Sequence, residues 1–78
     1  MIDLRLIETF IQAARLESFS AAAKALRVSP GAVSQNIKSL EEQLQTRLFT
    51  RTTRQVKLTP EGQRFLQRGA PAVEALQT

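Results

Sequence analysis

The side chains that could do chemistry in this sequence are few in kind. Eleven Lys and Arg stand against seven Asp and Glu, giving a formal net charge of +4 at pH 7, and His and Cys are both absent. Without imidazole or thiol there is no Ser-His-Asp nucleophile, no His- or Cys-ligated zinc and no disulfide framework. Glu41 and Glu42 are the only close carboxylate pair. Neighbouring helical residues point about 100° apart, so these two cannot share one acid–base site. No enzymatic activity, cofactor or metal is expected.

What remains is charge and hydrogen bonding. Arg47, Arg51, Arg54 and Lys57 lie within eleven residues that contain no acid, while the rest of the chain balances seven cations against seven anions. A concentrated positive segment favours a polyanionic partner, because neutralised phosphates release counterions. A solvated basic loop without a ligand would carry the same charge. A second candidate group is Ser29, Pro30, Gly31, Ser34, Gln35 and Lys38. Small residues let a backbone approach a surface, Gln can pair with a base edge, and Ser and Lys reach phosphates.

Those groups need elements to hold them, and helical periodicity supplies most of these. Leu4, Ile7, Ile11 and Ala14 recur at three- and four-residue steps, with Leu6, Phe10 and Ala13 beside them. This predicts a first helix buried over a wide face, with Asp3 in its first turn at the positive end of the dipole. Ser18 or Ser20 can cap a short second helix whose Ala22, Ala23 and Leu26 permit close approach. After Val28, Ser29 as cap and Pro30 at the first position open a third helix, about 30–45. Two helices joined by about three residues match a helix-turn-helix outline.

At about 100° per residue, Val33, Ile37, Leu40 and Leu44 of the third helix fall in one narrow arc, and Gly31, Ser34, Gln35 and Lys38 fall opposite. One face suits a core and the other suits a groove, although any surface helix is polar outside. Glu41 and Glu42 are placed further along, where the helix would leave a duplex. Thr and Val then become frequent from Leu48 to Thr59, which predicts a two-stranded hairpin with its tip near Thr53-Arg54. The hairpin leans on the helices as a basic wing, 47–57. Thr53, Arg54 and Gln55 would sit at its tip, where Arg or Gln can enter a minor groove. Thr59-Pro60-Glu61 opens a last helix running toward the C-terminus. Along it, Phe65, Leu66, Gly69, Val73 and Leu76, with Gly62, form a small-residue apolar seam. Its distal part is expected to overhang the domain and pair with another helix; a helix folded back on its own core would show the same stripe. Pro71 removes one ladder bond and, with Gly69, can kink or end this helix.

The whole is 78 residues, enough for one domain. Such a chain buries only about 60% of its unfolded surface. No apolar run is long enough to span a membrane, and the start, MIDLRLIE, lacks the layout of a secretory signal, so a soluble cytoplasmic location is expected.

The strings LIETFIQAARLESFSAAAKALRVS, AVSQNIKSLEEQL and RLFTRTTRQVKLTPEGQRFL, in that order, resemble the N-terminal domain of LysR-type transcriptional regulators over nearly all of the chain. The resemblance implies a mainly α winged helix-turn-helix, a three-helix core plus hairpin wing over 1–58, followed by a linker and dimerisation helix over 59–78. It implies sequence-specific binding of double-stranded DNA at a promoter inverted repeat, with the third helix in the major groove. By the match, Ser34 and Gln35 face bases or phosphates, Ser29 and Pro30 lie at the phosphate-facing helix start, and Arg51 and Arg54 fall on the wing and its base. A homodimer through the linker helix is implied, and a tetramer in a full-length regulator. Effector binding belongs to a larger C-terminal domain that these residues do not include, so the chain is expected to be the DNA-binding part of a longer protein. Many members carry Gln-Pro where this sequence has Pro30-Gly31, which shifts weight to Gln35 and Lys38. A protein-interaction module using the terminal seam is the competing expectation, and the single-sign segment 47–57 speaks against it.

Overall fold

A helix begins where an orphan backbone N–H finds a side-chain acceptor. Three such starts are visible in the computed structural model, which describes residues 3–50 and 56–77, the last two as backbone only. Asp3 accepts from the Arg5 N–H and caps α1, Leu4–Leu16; Ser18 accepts from the Ala21 N–H and caps α2, Phe19–Leu26. Ser29 accepts from the Ala32 N–H and caps α3, Pro30–Leu44, with Pro30 at its first position. Asp3 is therefore the cap itself and not a first-turn residue. The backbone bond from Arg5, then the Arg5 guanidinium, hold its carboxyl below the usual carboxylate range. α4, Pro60–Gln77, opens on Thr59, whose hydroxyl accepts from the Gly62 N–H at 2.9 Å. Pro71 lies inside it, so the helix does not end there.

The first three helices pack on one another in all three pairings, and α4 packs on α1. The core they enclose is apolar: Phe10, Ala13, Ala22, Val33 and Leu40 are essentially inaccessible to water. Ala22 and Ala23 on α2 are buried against this core, consistent with small side chains that admit close helix–helix approach. The chain's four Phe residues join in one series. Phe19 meets Phe49 at 5.5 Å, Phe49 meets Phe10 at 5.4 Å, and Phe10 meets Phe65 at 5.3 Å between ring centroids, all tilted or edge-on. Tilted and edge-on pairs suit the ring quadrupoles. The series ties α2, the segment after α3, α1 and α4 together.

After α3 the chain runs through Leu48 and Phe49, both buried, to an antiparallel bridge between Phe49 and Leu58. The Thr50 N–H donates to the Lys57 carbonyl at 2.8 Å. No strand forms among the described residues, and the predicted hairpin tip at Thr53-Arg54 lies outside them.

Candidate nucleic-acid interface

α3 presents two opposed faces. Val33, Ile37 and Leu40 are buried at 0–2% exposure, whereas Ser29, Pro30, Gly31, Ser34, Gln35 and Lys38 are all exposed. The second set therefore shares one free surface at the start of the helix, as the angular spacing predicts. A helix N-terminus with free N–H groups and positive dipole potential suits an anion. Around Gly31 there is room: a Cβ placed there would find nothing nearer than the Ser29 hydroxyl oxygen at 3.9 Å. Lys38 and Arg47 border one shallow recess with Glu42 and Gln45, so the exposed ridge of α3 runs on toward the basic segment. Arg47 and Lys57 are exposed. Arg51, Thr53, Arg54 and Gln55 lie outside the described residues.

Two polar contacts that hold this face escape the helical pattern. The Asn36 amide donates to the Thr9 hydroxyl oxygen at 3.2 Å, and that hydroxyl donates to the Arg5 carbonyl at 2.8 Å. This chain of bonds sets the rotation of α3 against α1. Glu41 is not at an exit from the site, as expected, but is buried at 7% exposure. Its carboxylate accepts from the Leu48 N–H at 2.8 Å and the Phe49 N–H at 3.3 Å. The signal was angular. Glu41 lies about 40° from Ile37 on the helical projection, at the edge of the apolar arc.

The seam predicted on α4 faces inward over much of its length. Phe65 and Leu66 are half-buried against the core, Gly69 lies beside Ile7 of α1, and Val73 is buried. Val73 thus packs on the chain's own α1 and does not overhang it. Across that contact Arg15 donates to Glu74 at 2.6 Å. Gly62 also faces inward, where a Cβ would fall 2.1 Å from the Leu48 carbonyl oxygen. The Leu76 side chain lies outside the described residues.

A capped helix with a buried apolar face and a free polar face, reached from a short capped helix through a tight turn, defines a helix-turn-helix protein. The profile of the family described as "Bacterial regulatory helix-turn-helix protein, lysR family" matches residues 4–63, and the chain belongs to that family. It is 46% identical over 76 residues to the HTH-type transcriptional regulator YhjC of Escherichia coli K12, covering 97% of this chain and 25% of that protein. Its fold superimposes on the BenM DBD in complex with catB site 1 DNA with a TM-score of 0.91 at 33% identity, covering 96% of this chain and 83% of the other. The CbnR DBD–DNA complex gives 0.89 at 31% identity, covering 96% and 86%. The chain spans about a quarter of the length of the curated relatives it matches.

Proposed function

We propose that this chain is the sequence-specific DNA-binding part of a LysR-type transcriptional regulator. The observation that carries the reading is the exposed face of Ser29, Gly31, Ser34, Gln35 and Lys38 opposite the buried Val33, Ile37 and Leu40. Two solved relatives of the same fold hold DNA, the BenM and CbnR domains. α3 lies in the major groove, with Gln35 at base edges and Ser29, Ser34 and Lys38 near phosphates. Residues 47–57 form a two-stranded wing, and Arg51, Thr53, Arg54 and Gln55 contact phosphates and the minor groove. Residues 1–58 are the reading unit and 59–78 the linker helix. Two copies pair through α4 on an inverted repeat, and a full-length protein of this kind forms a tetramer, takes its effector in a separate domain and works in the cytoplasm. Because the inner side of α4 is occupied, the pairing edge is the exposed one, Gln67, Pro71, Ala72 and Ala75, with Phe65 at its margin.

Selection of bound duplexes from a random pool tests the reading. An enriched inverted repeat is expected, with a log–log salt slope near about −4 per protomer if four phosphates are neutralised. Gln35→Ala should relax preference at one base position by about 1–3 kcal/mol. Unchanged discrimination would remove Gln35 from the reading face, and salt-independent behaviour of the wild-type chain would point to a protein-interaction module instead.

A further inference from the structure

Among the acids of the chain only Glu41 is buried. Its position is unfavourable on two counts. It sits near the C-terminal end of α3, where the helix dipole opposes a negative charge, and it is withdrawn from water. The compensation includes a pair of charge-assisted bonds to the backbone N–H groups of Leu48 and Phe49, near the start of the basic segment.

The start of the segment is also held from the other side, at Leu48 and Arg47. The Leu48 carbonyl accepts from the Thr59 N–H at 3.0 Å, and the Arg47 carbonyl accepts from the Thr59 hydroxyl at 2.6 Å. Gly62 leaves no room between α4 and the Leu48 carbonyl. The N–H side of Leu48 is therefore bonded to α3 and its carbonyl side to the start of α4, while the Leu48 side chain fills the core at 1% exposure. The Thr50–Lys57 bond then closes the base of the segment. The segment's entry point has no freedom to shift along α3 while the Glu41 bonds are made.

We propose that Glu41 is a positioning residue for DNA binding: its carboxylate fixes the base of the segment after α3 to the recognition helix, so that the cations at that base, Arg47 and Lys57, meet phosphates in register with the exposed ridge of α3. This rests on the function proposed above. Loss of the anchor leaves α3 able to enter a groove but lets the basic segment drift, so the cost falls on phosphate contacts and not on base discrimination.

The test is a double-mutant cycle on the duplex selected by the wild-type chain, with affinity measured over a salt series and helicity followed by circular dichroism. Lys57→Ala should flatten the salt slope by about one phosphate per protomer, and Glu41→Leu by at least as much. Combined, they should flatten it no more than Glu41→Leu alone, because a shifted base no longer delivers Lys57. Glu41→Gln keeps an acceptor oxygen and should restore both slope and coupling. If Glu41→Leu loses its helical signal, Glu41→Asp, which keeps the charge but retracts the acceptor, is held to the same two criteria. Fully additive effects of Glu41 and Lys57 overturn the proposal, as does a Glu41→Gln variant as impaired as Glu41→Leu. A wild-type chain that binds no duplex overturns the function itself; binding with additive variants overturns only the role of Glu41.

Discussion

Gly31 carries the sharpest single-residue argument. Its φ is not positive, and a methyl group added there would make only an ordinary contact, with the Ser29 hydroxyl oxygen at 3.9 Å. The fold therefore gains nothing from the missing side chain, while glycine inside a helix costs about 0.5–1 kcal/mol relative to alanine. A residue that weakens its helix without serving packing needs a reason outside the chain. Close approach of the α3 backbone to DNA is such a reason. Gly31→Ala is expected to raise unfolding stability by about 0.5–1 kcal/mol, seen as a higher urea midpoint at unchanged slope. The same substitution is expected to lower affinity for the selected duplex. A variant that gains in both would place Gly31 away from the interface. Gly62 shows the opposite logic, since the Leu48 carbonyl fills the space a side chain would need.

At the scale of elements, the helix stops are more unusual than the starts. α1, α2 and α3 end on Glu17, Arg27 and Gln45, each in the left-handed region with φ between 52° and 61°. At the last two, paired backbone bonds close the helix: the Arg27 and Val28 N–H groups donate to the Lys24 and Ala23 carbonyls, and those of Gln45 and Thr46 to the Glu42 and Glu41 carbonyls. Glycine adopts this backbone without the steric penalty of a Cβ. Gln45→Gly is therefore expected to stabilise the domain by about 0.5–1 kcal/mol, measured by denaturant unfolding, because Gln45 is exposed and its cap bonds come from the backbone. These caps also mark what the sequence could and could not reveal. The helix starts were legible because Ser18, Ser29 and Thr59 each announce an acceptor before an apolar stripe. The ends carried no glycine, yet the stripe of α3 still placed its end within a residue. Glu41 was not legible, because an acid near the end of a recognition helix reads as solvated. Its carboxylate bonds to the backbone N–H groups of Leu48 and Phe49, which no sequence pattern displays. Nor did any Asn-Gly or Asp-Gly pair mark a turn between Phe49 and Leu58, so the expectation of a wing rests on composition and, among the described residues, on the bridge that joins those two.

For the molecule as a whole, the open question in the sequence was where the apolar stripe of α4 goes. Leu66, Gly69 and Val73 at three- and four-residue steps fit the chain's own α1 and a second copy's helix equally well, since periodicity records only that a face leaves water. The structure assigns Val73 to the first use, with Arg15 and Glu74 paired across the same contact. That ion pair is half-exposed and adds little by itself; the apolar contact beneath it holds the two helices together. The outer edge of α4, with Ala72, remains exposed. Two aspartate substitutions one position apart should then behave differently. Val73→Asp places an unpaired charge in the core and is expected to cost about 4 kcal/mol or more, which a domain of this size does not survive. Its circular dichroism should show lost helix. Ala72→Asp should leave the helical signal and thermal transition close to those of the wild type. On the proposed pairing it should weaken self-association in sedimentation and lower affinity for a duplex with two half-sites, while affinity for one half-site stays the same. If Ala72→Asp sediments as the wild type does at micromolar concentration, the exposed edge of α4 is not where two copies meet.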